Sequence, residues 1–166
     1  MIEWYIIKVL HILSAIFWMG GSIFISAFLL PAVKKSGPSS KELIHNLFNI
    51  YKLPLVLNIA SSLTVILGLI QYWKTTAGYQ QISFHFPGGI GLFHGIIFGL
   101  IAFIWGHAFQ SPNSKKLSRL MAQVQDKPST EQFLQIQKIQ KKVIFGGWLT
   151  LILLFLSLLG MVSVHF

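Results

Sequence analysis

Residues 5–33 read YIIKVLHILSAIFWMGGSIFISAFLLPAV, and Lys8 is their one charged side chain. An α-helix of this length reaches roughly 43 Å at 1.5 Å per residue, more than the ~30 Å thickness of a bilayer's hydrocarbon core. The stretch is too long for a secretory signal peptide, Glu3 precedes it, and no small-residue cleavage site stands out. We therefore expect a retained transmembrane helix from about Tyr5 to Val33.

Three further apolar stretches have the length of a membrane-spanning helix. Hydrophobic residues make up 54% of the 166-residue chain and charged residues only 10%, whereas soluble domains carry about 25% charged residues. A domain of this size cannot bury so much apolar surface in one core, so a lipid bilayer is the expected environment. The sequence predicts an all-α fold, a four-transmembrane-helix bundle that forms a single integral membrane domain over residues 1–166. The other spans are predicted at about Leu53–Trp73, Gly88–Phe109 and Val143–Val164.

The basic residues are distributed unevenly between the two ends of the predicted bundle. Of the thirteen lysine and arginine residues, eleven fall between the first and second spans or between the third and fourth. Basic loops stay in the cytoplasm, so we expect both termini on the non-cytoplasmic side of the cell inner (plasma) membrane. The net charge of +9 is then explained by topology and by contact with anionic lipid, and no nucleic-acid-binding motif accompanies it. The eleven residues are Lys34, Lys35, Lys41, Lys52, Lys115, Lys116, Arg119, Lys127, Lys138, Lys141 and Lys142.

Both basic connections carry signals for the start of a helix. Ser39 and Glu42 have the spacing of a capping box, so the second helix is expected to begin near Ser40 and to bend at Pro54. A similar signal at residues 128–132 predicts that the fourth helix starts well before its apolar span. We therefore expect helical cytoplasmic extensions of the second and fourth helices.

Two of the six histidines, His11 and His94, lie inside predicted spans, where ionisable groups are rare and usually functional. Each follows the expected outer interface by six or seven residues, which places both roughly 10 Å below that interface. His107 is about 220° round the third helix from His94, so it is not expected to join the same site. The remaining histidines, His45, His85 and His165, fall in loops or at helix ends.

The faces that carry the two histidines are also similar. On the first helix a serine and a tryptophan share an arc with His11, and on the third helix a stripe of glycines borders His94. Small residues mark the packed side of a membrane helix, so we expect these two helices to be direct neighbours with both imidazoles facing inward. Two imidazoles at one depth suit a haem b, with His11 and His94 as metal ligands and Met161 as a substitute for one of them. Two structural histidines, or a copper or other metal site, are the alternatives. The expected cofactor-binding residues are His11, His94, Ser14, Trp18, Gly91, Gly95 and Met161.

The sequence indicates little other chemistry. It has no cysteine, which excludes disulfides, thiolate metal sites and iron–sulfur clusters. The predicted spans contain no aspartate or glutamate, so a carboxylate proton relay has no members. No nucleophile, phosphate-loop or metalloprotease motif is present, and no catalytic residue is predicted.

Leu10-His11-Ile12, followed by Trp18-Met19-Gly20-Gly21, resembles the start of the CopD-like and HemJ-like membrane proteins. Leu67-Gly68-Leu69 is similar to the usual end of their second helix, and the resemblance extends over most of the chain. It implies a four-helix unit with His11 as a haem ligand, since HemJ-like proteins are b-type haem proteins linked to protoporphyrinogen IX oxidation. That activity is disfavoured here, because residues 88–91 are Gly-Gly-Ile-Gly where HemJ-like chains have a basic residue. CopD-like proteins are linked to copper uptake, although the methionines of this chain are too scattered for an obvious copper path.

These observations favour a small membrane b-type cytochrome that binds haem between the first and third helices near the outer face. It would transfer electrons, with other subunits of a larger respiratory complex or a quinone as partners. A copper transport or handling protein is one alternative. A cofactor-free accessory subunit, whose small-residue faces bind other membrane helices, is the other.

Overall fold

The computed structural model describes residues 2–76, 78, 89–124 and 129–163. Over these residues the chain is helical and contains no strand. Four helices are long and apolar enough to cross a bilayer, which confirms the predicted all-α fold with four spanning helices and identifies a multi-pass membrane protein. The helices are α1 (Ile2–Ser36), α2 (Lys41–His45), α3 (Leu53–Thr75), α4 (Gly89–Ala122) and α5 (Thr130–Val162).

Three of the long helices extend beyond their predicted spans at the end of the bundle that carries the basic connections. α1 and α4 each pass through a π-helical segment and then continue as α-helix, and α5 starts thirteen residues before the predicted start of its span at Val143. We call this end of the bundle the basic end. The opposite end, where α1 begins and α5 ends, is called the terminal end. The π-helical segments are Phe24–Leu29 in α1, Gly106–Gln110 in α4 and Asn46–Ile50 after α2.

The second spanning helix begins at Leu53, so the prediction that it runs continuously from Ser40 is wrong. The residues before it are helical, but Lys52 has a φ of 49° and a ψ of 36° and interrupts the helix. A left-handed residue cannot continue a right-handed helix. Pro54 lies in the first turn of α3, where its missing N–H group would have no helical partner anyway, and it does not bend a longer helix.

The capping box predicted at Ser39 and Glu42 is also absent. α2 starts at Lys41, and the residue before it, Ser40, makes no side-chain cap. The Ser40 hydroxyl instead donates a 2.6 Å hydrogen bond back to the carbonyl oxygen of Gly37. The short 3-10 turn at Gly37–Ser40 has taken the place of the expected helix start.

α5 begins where its sequence signal predicts. The Ser129 hydroxyl accepts from the Gln132 N–H at 3.2 Å, and the Gln132 side-chain oxygen accepts from the Ser129 N–H at 3.1 Å. This capping box satisfies two backbone donors at the helix start, and such a cap stabilises a helix by about 1 kcal/mol. Lys138, Lys141 and Lys142 therefore lie on a regular continuation of the spanning helix.

The four long helices pack as two close antiparallel pairs. α1 packs along α3 and α4 packs along α5, whereas the contacts between the pairs, α1 with α5 and α3 with α4, are less extensive. α1 and α4 therefore lie diagonally across the bundle. The prediction that the first and third spans are direct neighbours is wrong.

The glycines of α4 explain this arrangement. A Cβ added to Gly95 would lie 2.9 Å from the carbonyl oxygen of Ser157 and 3.0 Å from the amide nitrogen of Met161. A Cβ on Gly91 would lie 3.2 Å from the carbonyl oxygen of Gly160. The glycine stripe thus lets the backbones of α4 and α5 approach each other, as small residues do in membrane bundles, and it is not open space beside a histidine.

Two clusters of buried side chains hold the pairs together. Near the middle of the bundle each long helix contributes one residue to a shared layer, which we call the Trp18 layer. Its members are Trp18, Ala60, Ala102 and Leu154. A larger cluster lies at the basic end and contains the fully buried side chains of Leu30, Ile44, Leu117 and Val143. The short helix α2 is therefore part of the core at that end.

The outward faces of the helices are apolar. Isoleucines on all four long helices are between 54% and 63% exposed, a fraction that in water would leave a continuous hydrophobic surface. Lipid chains are a suitable solvent for such a surface, so the predicted contact with a bilayer agrees with the structure. These residues are Ile16, Ile66, Ile104 and Ile152.

Candidate functional site

His11 faces the neighbouring helix α3. Its ring nitrogen Nδ1 lies 2.9 Å from the carbonyl oxygen of Thr64, 53 residues away along the chain. Because a carbonyl oxygen can only accept, this bond assigns the proton to Nδ1 and leaves a lone pair on Nε2. The tautomer and the orientation of the ring are therefore both set by α3.

Gly68 makes this approach possible. It lies one helical turn after Thr64, and a Cβ on it would be only 2.9 Å from Cε1 of His11. Any larger residue would collide with the imidazole, so the glycine allows the ring to lie against the α3 backbone. In the sequence, Gly68 is notable only for its resemblance to a family motif, and nothing there links it to His11.

His94 is placed differently. Its side chain is exposed, and its Nδ1 lies 2.8 Å from the carbonyl oxygen of Ile90, one turn earlier on the same helix. The expectation that both imidazoles face inward is therefore wrong for His94. Since α1 and α4 are also diagonal, the structure does not bring His94 and His11 together.

At the level of His11, the side chain on the inner face of the bundle is that of Met161 and not that of His94. Each residue of this level is seven positions from a member of the Trp18 layer, towards the terminal end. The pairs are His11 with Trp18, Gly95 with Ala102 and Met161 with Leu154. Residues seven apart share a helix face and are about 10 Å apart along the axis. His11, Gly68, Gly95 and Met161 therefore form a second layer, which we call the His11 layer.

The other predicted cofactor residues have structural partners. The Ser14 hydroxyl donates to the carbonyl oxygen of Leu10 at 2.7 Å, so it does not orient His11. Trp18 is 6% exposed and belongs to the core. Gly91 packs against α5, as described above. Of the predicted set, His11 and Met161 keep a chemical group at the inner faces of the bundle.

A cavity on the basic side of the Trp18 layer was not predicted; its wall is mostly apolar, and we call it the polar cavity after the polar side chains within that wall. It has a volume of about 70 Å³ and is lined from all four long helices. One buried water needs roughly 10–15 Å³ of such volume, so the cavity has room for several. Its polar lining includes Ser22, Asn58, Ser61, His107, Gln110 and Ser111.

Two residues that line this cavity, Gln110 and His107, each carry a hydrogen-bond acceptor. The Gln110 amide nitrogen donates to the carbonyl oxygen of Val143 at 3.0 Å, but its side-chain oxygen Oε1 is buried without a hydrogen-bond partner. His107 bonds through Nδ1 to the carbonyl oxygen of Phe103 at 3.0 Å, which leaves Nε2 as a second acceptor. A buried acceptor without a donor is costly, about 1–3 kcal/mol. The cavity is thus suited to water or to another small hydrogen-bond donor.

A sequence signal for this cavity existed but was weak. His107, Gln110, Ser111 and Ser114 recur at helical spacing on α4, which places them on one face. They lie near the end of a predicted span, where polar residues are ordinary. Only the packing of four helices shows that this face points inward.

Comparisons with protein-family models, with curated proteins and with solved structures found no match to this chain. Within the described residues, no three histidine, aspartate or glutamate side chains are grouped as a complete metal site would require. An axial haem site needs only one or two protein ligands. Functional assignment therefore depends on the geometry of the His11 layer and of the polar cavity.

Proposed function

We propose that this protein is a small membrane haem b protein in which Nε2 of His11 would bind the haem iron. The observation that carries the proposal is the hydrogen bond from His11 Nδ1–H to the Thr64 carbonyl oxygen. Histidines that bind metals commonly donate their other ring N–H to a carbonyl or carboxylate, which fixes the tautomer and raises the basicity of the ligating nitrogen. His11 has this arrangement before any metal is considered.

The depth of His11 gives a second argument. An imidazole in hydrocarbon surroundings is costly unless both of its nitrogens have partners. The Thr64 carbonyl oxygen satisfies Nδ1, and within the described residues no donor bonds Nε2. A metal ion at Nε2 would give the second ring nitrogen its partner.

Met161 is the better candidate for a second ligand than His94. It is half-buried on the inner side of α5 and belongs to the His11 layer, whereas His94 is exposed on a diagonal helix. A histidine–methionine pair is an established axial set for electron-transfer haems. A bound haem would supply one-electron transfer, and the role of the chain would be to hold the ring by His11, to orient that imidazole through α3, and to exclude water with apolar helices.

The proposed setting is the inner (plasma) membrane, with the terminal end outside and the basic end in the cytoplasm. The support is the concentration of lysine and arginine at the basic end. The His11 layer would then lie in the outer half of the membrane. Partner subunits or a quinone would receive or deliver the electrons there.

Copper handling is a second candidate function, because the His11 layer combines an imidazole with a thioether. Both are ligands that copper accepts, and the thioether favours Cu(I). The same two residues would be used, so the two proposals differ in the bound group and not in the site.

The test is an absorption spectrum of the purified protein, oxidised and dithionite-reduced, together with metal analysis. We expect a Soret band in the wild-type protein, its loss in His11→Ala, and its retention in His94→Ala, the matched control with an exposed ring. Copper without haem would favour the second candidate. Absence of both groups, or loss of the band only in the control, would contradict the proposal.

A further inference from the structure

A large pocket at the basic end is not used by the His11 layer or by the polar cavity. Its volume is about 340 Å³, within the range of sites that bind small molecules. It lies between the end of α1, the start of α2, the end of α4 and the first half of α5. Four separate segments of chain therefore converge on it.

The rim of this pocket is positively charged. Among the described residues that line it, Lys34, Lys41 and Lys141 are basic and none is acidic. The Lys41 ammonium donates a 2.6 Å hydrogen bond to the carbonyl oxygen of Val124, which holds it in place at the rim. Three ammonium groups around one pocket attract an anion with more than one negative oxygen.

The floor of the pocket is apolar. Val33, Met121 and Val124 are no more than 5% exposed and form part of its wall, and Ile136 and Ile144 are half-buried beside them. A small inorganic anion would gain nothing from such a floor. The pocket therefore suits a molecule that joins an anionic group to a hydrocarbon part.

Two amides add hydrogen-bonding capacity next to the charges. Both line the pocket: Gln137 lies one turn before Lys141, and Gln140 directly precedes it. Lys141 in turn lies two residues before Val143, where the apolar span of α5 begins. The end of the pocket at Lys141 and Ile144 is thus at the level where phospholipid headgroups would meet the end of the spanning helix.

We propose that this pocket binds one anionic phospholipid, with its phosphate between Lys34, Lys41 and Lys141 and its glycerol and first acyl carbons on the apolar floor. Basic pockets between helices on the cytoplasmic side are suited to such headgroups. The site differs from general attraction of a basic surface to anionic lipid, because it depends on particular lysines and on the apolar wall.

The experiment uses the full chain in zwitterionic nanodiscs with and without an anionic phospholipid, phosphatidylglycerol, and native mass spectrometry to count retained lipids. The test variant is Lys34→Gln/Lys141→Gln, which leaves the Lys41 hydrogen bond intact. The matched control is Lys115→Gln/Lys116→Gln, with the same charge change on exposed residues outside the pocket. We expect the wild-type protein to retain one phosphatidylglycerol. The affinity for this lipid should fall about five-fold per lysine removed in the test variant and stay unchanged in the control.

A third variant, Ile144→Ser, tests the apolar part, since this half-buried pocket residue lies on the membrane side of Lys141 and carries no charge. It should weaken phosphatidylglycerol retention while leaving any effect of inorganic phosphate unchanged. Equal losses in the test and control variants would overturn the proposal in favour of diffuse electrostatics. Displacement of the lipid by millimolar inorganic phosphate would overturn it in favour of a simple anion site.

Discussion

At the scale of single residues, the position of His11 depends on the absence of a side chain at Gly68. The imidazole lies against the α3 backbone, where a Cβ on Gly68 would be 2.9 Å from Cε1. That contact is closer than side-chain carbons normally approach, so the glycine and the histidine form one unit. The bond to Thr64 holds the ring in that position.

Gly68→Ala should therefore move the His11 ring and destabilise the α1–α3 pair. Overpacking of a fitted contact costs about 1–3 kcal/mol, which thermal unfolding in detergent, followed by circular dichroism, would detect. The control is Gly20→Ala, because a Cβ there meets nothing within 4 Å. Alanine is the better helix former, so this control should be neutral or slightly stabilising.

Equal melting temperatures for wild type and Gly68→Ala would show that the ring can turn aside at no cost. In that case the Thr64 bond would not constrain His11, and the main support for an axial ligand would be lost.

At the scale of helices, small residues decide which helices form pairs. Gly91 and Gly95 bring α4 against α5, and Gly68 brings α3 against α1. In a membrane the side chains gain little from leaving lipid, so close van der Waals contact between backbones has a large share in association. The diagonal position of α1 and α4 follows from these two close pairs.

Cysteine pairs can test this arrangement in a chain that has no cysteine of its own. A Cβ on Gly99 would lie 4.0 Å from Cβ of Ser157, within the 3.5–4.5 Å range of disulfides. Gly99→Cys/Ser157→Cys should therefore oxidise readily, and a maleimide–polyethylene glycol gel shift would report the loss of both free thiols.

His11→Cys/His94→Cys is the comparison pair across the diagonal, and its thiols should remain free under the same oxidation. Crosslinking of this second pair without the first would show that the first and third spans are neighbours, as expected from the sequence. The bis-histidine site would then be favoured over the His11 layer.

At the scale of the whole molecule, the bundle is divided by polarity along its axis. Ten of the lysine and arginine residues that the structure describes belong to the basic end, and the faces between the ends expose large apolar side chains. α1, α4 and α5 all extend beyond their apolar parts at the basic end. This charge distribution predicts one orientation in a bilayer, with the basic end in the cytoplasm.

Reporter fusions test this orientation directly. A reporter that is active only outside the cytoplasm should be active after Phe166 and inactive after Lys116. A reporter active only in the cytoplasm should give the opposite pattern. Cytoplasmic activity after Phe166 would contradict the charge argument, and the proposed placement of His11 in the outer half of the membrane would have to be reversed.

The sequence by itself determined the four spanning helices, the capped start of α5 and the choice of His11 as an unusual residue. These features depend on local composition and on hydrophobic length, which a chain carries whatever its tertiary contacts. The interruption at Lys52 was missed because a left-handed residue has no strong sequence signal unless it is glycine or asparagine.

Only the tertiary structure decided which faces meet. A stripe of small residues shows that a helix is packed but does not name its partner, so the glycines of α4 were assigned to a histidine when they pack on α5. The rotation of α4 that follows from this packing turns His94 outward and His107 into the polar cavity. Helix rotation is set by the sum of contacts along two neighbours, and that sum is not contained in the periodicity of either helix alone.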